Sequence, residues 1–146
     1  MALEFIKSAS GSTVSSLSAT DCFSADYDIY QVTVTTLQTS TSANIDVRFI
    51  DTGGVVSTST YDEAILILPS NTGFSTIKNT GQTSIGGISF GNGASTGASI
   101  NMMVFNPNDS SLFTYLIDES NAWTGVLQGY KGIGVEKTAQ TITGIN

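Results

Sequence analysis

Between Asp21 and Asp51 the chain alternates apolar and polar residues over two stretches joined by a polar link. Tyr30, Val32 and Val34 fall on one side of an extended chain, and Gln31, Thr33 and Thr35 on the other. Ile45, Val47 and Phe49 repeat the pattern against Asn44, Asp46 and Arg48. A period of two puts one set against a core and the other toward water. The link Gln38-Thr39-Ser40-Thr41-Ser42 has nothing apolar to bury, so it reads as an exposed turn. The stretch predicts a β-hairpin around which the rest is arranged.

The same plan recurs along the chain. Leu3 to Lys7 and Val14 to Leu17 read as a short first hairpin around Ser10-Gly11-Ser12. Thr52-Gly53-Gly54 is a turn before a short β-branched strand, Val55 to Thr60. Ala64 to Leu68 is apolar without alternation and stops at Pro69, which predicts a strand buried on both faces. From Ser70 to Gly97 the composition shifts to Gly, Ser, Thr and Asn. A structureless loop of that length is uncommon in a domain. A meander is expected, anchored by Phe74, Ile77, Ile85, Ile88 and Phe90, with turns at Gly86-Gly87 and Gly91-Asn92-Gly93.

Regular alternation returns at Ser99 to Asn106, with Ile100, Met102 and Val104 on one face. Asn106-Pro107-Asn108-Asp109 presets turn dihedrals. Leu112 to Asp118 is apolar on both faces and is expected to be a central strand. Asn121 to Gly125 reads as a loop carrying the sole tryptophan, Trp123. In Tyr130 to Lys137, Gly132 and Gly134 share a face and leave room for a neighbouring backbone or aromatic ring. Val32, Val47, Val104 and Tyr115 are expected to share one core. The fold class is all-β: a single antiparallel β-sandwich over residues 1–146, jelly-roll-like, of roughly eight to ten short strands.

A chain of 146 residues supports a hydrophobic core, and its regular alternation excludes disorder. Charged residues are only 12% of it, against about a quarter in ordinary domains, so Ser, Thr, Asn and Gln must carry solubility. Net charge is −7, and the five basic residues are scattered. Nucleic acid, which needs clustered cations, is not an expected partner, nor is an anionic membrane surface. No apolar run approaches the roughly 18 residues of a membrane span, and Met1 to Ser10 does not read as a signal peptide. Cys22 is the only cysteine, which rules out an intrachain disulfide and suits assembly inside a cell. It reads as a small buried hydrophobe.

With no histidine, a Ser-His-Asp triad and His-based zinc sites are excluded. Carboxylates remain. Asp62-Glu63 and Asp118-Glu119 are adjacent in sequence, so on strands they point to opposite faces and make poor pairs. Asp26 and Asp28 could share a face. They read first as solvated loop-end acids, with calcium binding or glycoside hydrolysis as the alternatives. Tyr27, Tyr61, Trp123 and Tyr130 sit at strand ends, where they plug a sandwich or stack on sugars. No catalytic, cofactor or metal-ligating set is expected, and the chain reads as no enzyme.

The opening MALEFIKSASGSTVSSLSATDCFSADYDIYQVTV, the NPNDSS turn and the late GYKGIGVEK segment resemble small virion structural proteins of tailed phages, especially marine phages of cyanobacteria and their neighbours. The resemblance covers most of the chain and carries no catalytic motif. It implies a β-sandwich displayed on the virion, as head decoration, fibre or tail appendage. The implied partners are copies of itself and other virion proteins. Few charged residues to cover a free monomer, and the closed symmetry usual for identical chains, make a homotrimer the first expectation. The alternative is a receptor-binding module gripping a host cell-surface glycan. The resemblance further implies a strand or two with a Tyr-Gly ending after Asn146, where this sequence stops.

Overall fold

The computed structural model describes residues 3–41, 43–90 and 97–146, and only the backbone of 87–90. Alternation becomes strand almost everywhere it was strong. Eleven strands are formed among the described residues: β1 Ile29–Leu37, β2 Ala43–Val47, β3 Phe49–Asp51, β4 Gly54–Val55, β5 Tyr61–Pro69, β6 Ser75–Gln82, β7 Ile85–Phe90, β8 Ala98–Phe105, β9 Thr114–Trp123, β10 Leu127–Glu136 and β11 Gly144–Ile145. Among those residues there is no helix, hence none long and apolar enough to cross a membrane.

The chain is an all-β antiparallel sandwich. Its main sheet has six strands in the order β1-β8-β9-β10-β5-β6, and two smaller sheets, β11-β3-β4 and β2-β7, complete it. Ile85 of β7 packs over Gly134 of β10, and the Gly86 N–H of β7 donates to Glu63 of β5. The two-stranded sheet therefore lies over the inner face of the main one. The jelly-roll order expected from the sequence is a finer statement than these strand orders make.

The organising hairpin does not form. β1 pairs with β8, setting Tyr30, Val32 and Val34 beside Val104, Met102 and Ile100, while β2 pairs with β7. The first stretch is a strand with the expected inward set, but the second breaks at Arg48 into β2 and β3, which join different sheets. Register follows the apolar rows, and β8 offers β1 a longer matching row than the five residues of β2.

Several shorter expectations also change. Residues 3–18 form no hairpin. Phe5 and Ile6 are adjacent, so no single face of that segment gathers its apolar residues. The strand after Gly54 is only two residues long. Phe74 is exposed and anchors nothing, whereas Ile85 is buried and Ile77 packs at the core edge. Gly86-Gly87 lies within β7 and is no turn. The side chains of Ile88 and Phe90 and the turn at Gly91-Asn92-Gly93 lie outside the described residues. Asn121 to Trp123 ends β9 and is no loop.

The core contains Phe49, Tyr61, Ile65, Ile100, Val104, Leu116 and Ile142, with Val47 buried and Val32 packed at its edge. Tyr115, expected there, faces out. Its neighbours Thr114 and Leu116 take the inner face of β9, because the register with β8 puts Leu116 opposite Val104. Tyr61 anchors the three-stranded sheet: its hydroxyl donates to the Val56 carbonyl at 3.1 Å and accepts the Phe49 N–H at 3.0 Å. Burial, partly offset by the Phe49 N–H, pushes its phenol up to about 12.

The C-terminal segment ties distant parts together. Ala19 and Ile145 exchange both backbone hydrogen bonds, Arg48 and Asn146 do the same, and Thr143 N–H donates to Ile50. Gly144 is required here, because a Cβ would run into the Ala19 carbonyl. Cys22 is half-buried, donates to the Ala19 carbonyl at 3.3 Å, and has its thiol pushed up by burial.

Candidate functional site: the outer face of the main sheet

A strand in a sheet with one buried face spends every second residue on the other face. In the main sheet those residues form cross-strand rows. One row runs Ile29, Phe105, Tyr115, Val135. The next runs Met103, Ile117, Ile133, Ala64. They lie two residues apart along each strand, about 6.6 Å, so together they make one patch. Ile133 is 57% exposed, Tyr115 48% and Ile117 41%. Leu66 and Leu68 of β5 extend it on the β5 side.

This accounts for the doubly apolar runs in the sequence. β5 was expected to be covered on both faces, yet only Tyr61, Glu63 and Ile65 turn inward and are buried. β9 is central, as its composition predicted, but its outer apolar residues have no cover among the described residues. Scattered apolar residues on a surface are normal, whereas a contiguous patch marks an interaction site.

The third row is polar. Thr33, Asn101, Glu119 and Lys131 follow one another across four strands. Lys131 pairs with Glu119 at 2.8 Å, with both side chains more than 60% exposed. The pair lowers the Glu119 carboxyl and raises the Lys131 ammonium. In such exposure, solvent screening leaves it little weight in stability. Asn101 accepts from Gln31 at 2.7 Å, and Asn121 donates to Ser99 at 2.9 Å. A shallow groove of about 280 Å³ lies along these side chains. A second, of about 420 Å³, runs between the β3–β4 turn and residues Thr138 and Gln140.

The acids divide by face, as their spacing predicted. Asp62 turns out and pairs with Lys137 at 2.8 Å, which with the Gly81 N–H lowers its carboxyl. Glu63 turns in. It accepts from Asn79 at 2.7 Å and from the Gly86 N–H at 2.5 Å. Asp118 also turns in and is 3% exposed. It lies over Gly132, where a Cβ would overlap its Oδ1. The space beside Gly132 and Gly134, expected to take a backbone or an aromatic ring, is filled instead by the Asp118 carboxylate and the Ile85 side chain. Burial first, then the charges of Glu63 and Glu119, pushes Asp118 up to about 6. Its Oδ2 has no hydrogen-bond partner, nor do the hydroxyls of Thr114 and Ser120 on the same face of β9.

Asp26 and Asp28 both stay at the surface. Asp26 accepts from Ser24 at 2.9 Å in a turn, and Asp28 precedes β1. Each groove is lined by a single carboxylate, Glu119 or Asp51. Among the described residues, no group of three or more potential ligands could hold a metal ion. The aromatics split: Tyr61 and Tyr130 are core plugs, while Tyr27 and Trp123 are exposed. No family model, curated protein or solved structure matches this chain.

Proposed function

We propose that the chain is a non-enzymatic structural protein of a tailed-phage particle, a head decoration or appendage module, and that it works as a homo-oligomer, most simply a trimer. The observation that carries the oligomer is the apolar patch on the outer sheet face. Each large apolar side chain moved from water into a contact gains about 1.5–3 kcal/mol. Six strands about 4.8 Å apart and about nine residues long give a whole sheet face of roughly 850 Å², of which the apolar patch is one part; the whole face is comparable with the roughly 800 Å² per partner of a stable interface. The absence of histidine, together with grooves that present single carboxylates, supports the non-enzymatic reading. The virion assignment rests on the resemblance of the opening, the NPNDSS turn and the GYKGIGVEK segment.

Light scattering at micromolar concentration is expected to give a multiple of the 15.2 kDa chain mass. An antibody to the chain is expected to label purified particles. A mass that stays at one chain overturns the oligomer, and unlabelled particles overturn the virion role.

A second reading, a glycan-gripping module, is favoured by one observation. Exposed Trp123 lies two residues from Asn121 on the outer face of β9, beside the polar groove. Amide side chains next to an aromatic plane suit a sugar ring. If Trp123→Ala abolishes binding to host cells while the oligomer stays intact, that reading replaces the first.

A further inference from the structure

Residues 3–18 join no sheet, yet they carry Leu3 at 83% exposure and Phe5 at 78%, with Val14 and Leu17 also exposed. Apart from Ser18 at its end, which accepts from Asn146, two hydrogen bonds hold this arm to its own chain among the described residues. Lys7 donates to the Thr20 carbonyl at 2.5 Å, and Tyr27 donates to Glu4. Both are exposed, and neither buries the apolar side chains.

Each chain therefore has an apolar arm without a receptor and an apolar sheet face without a ligand. Their patterns match. Laid out as a strand, the arm puts Leu3, Phe5 and Lys7 on one side, spaced two residues apart. The outer stripe of β9 reads Tyr115, Ile117, Glu119 at the same spacing. Apolar meets apolar twice, and the arm's ammonium meets the exposed Glu119 carboxylate, which it shares with Lys131. We propose that the arm of one copy lies across the outer sheet face of the next copy, with Leu3 and Phe5 on the Tyr115–Ile117–Ile133 patch and Lys7 beside Glu119. This deepens the homo-oligomer reading and rests on it. An arm-to-face contact joins two different surfaces, so it runs head to tail and closes into a ring when the rotation allows. Lys7 and Glu4 give up their two exposed contacts in the exchange, a modest loss for exposed groups.

Two variants test it by light scattering: a chain beginning at Ser8, and Ile117→Glu/Ile133→Lys. Each alone is expected at one chain mass. Mixed in equal amounts they are expected to form a two-chain species that grows no further, since one supplies only a face and the other only an arm. Leu3→Ser/Phe5→Ser replaces the truncation if the shortened chain does not fold, and the melting temperature of each variant checks folding. A truncated chain that keeps the wild-type mass overturns the proposal, as it means that faces pack on faces. So does a mixture that stays monomeric. An oligomer that depends on the arm yet is missing from particles overturns the virion role and leaves the arm exchange standing.

Discussion

Asp118→Asn is expected to stabilise the protein at pH 7.5 by about 1–3 kcal/mol and to flatten its stability between pH 4 and 7. A carboxyl at about 6 in the folded chain and 3.8 unfolded is bound to its proton more tightly when folded. Below pH 3.8 both states are protonated and Asp118 costs nothing. Between 3.8 and 6 the unfolded chain gives up the proton first, so stability falls as pH rises. Above 6 both are ionised, and the full penalty of about 3 kcal/mol persists. The sign is opposite to that of a salt-bridged aspartate such as Asp62, whose contribution is lost on acidification. The Asn amide keeps the shape over Gly132 but leaves a donor unpaired, which offsets part of the gain. Urea unfolding of both proteins at pH 4, 5, 6 and 7.5 measures this. Parallel pH curves, with no gap opening above pH 5, would falsify the assignment of a buried charge to Asp118.

Phe49→Ala is expected to cost about 3–5 kcal/mol, the range for removing a buried aromatic ring. Phe49 is fully buried, and its ring stacks on Tyr61 with centroids 6.2 Å apart. Its N–H and carbonyl bond Tyr61 and Val56, so its backbone cannot slide to fill the hole. For a chain of this size each kcal/mol moves the melting temperature by about 2–4 °C, which gives a fall of about 6–20 °C. Calorimetry reads it directly. A drop below about 3 °C would mean that the three-stranded sheet is not held to the main sheet through this ring.

The strands were legible because their period is short and local. Tyr30–Val34 and Ile100–Val104 each declared an inward face, and the structure pairs those two faces with each other. Pairing itself was not legible. The hairpin expected between β1 and β2 assumed that neighbours in sequence are neighbours in a sheet, and the link residues said nothing against it. The faces of β9 were ambiguous for a different reason. With apolar residues at both parities, only contact with Val104 decides that Leu116 is inside and Tyr115 outside. The buried acids were half legible: alternation separated Asp118 from Glu119 without saying which one faced in. The outer patch was legible as doubly apolar strands, read as coverage by the chain itself when the described residues supply none.

The tie between residues 142–146 and residues 18–23 and 48–50 bears on how the protein is made. Asn146 and Ser18, bonded at 2.8 Å, are 128 positions apart. Loops that long are slow to close, and folds dominated by distant pairings form late. On the ribosome, β1 emerges long before β8, and β3 long before β11. Their unpaired edges wait for synthesis to reach the end of the sandwich. During that interval the net charge of −7 is what keeps nascent copies apart. A chain that stops short of β11 leaves the Ala19, Arg48 and Ile50 backbone groups without these partners.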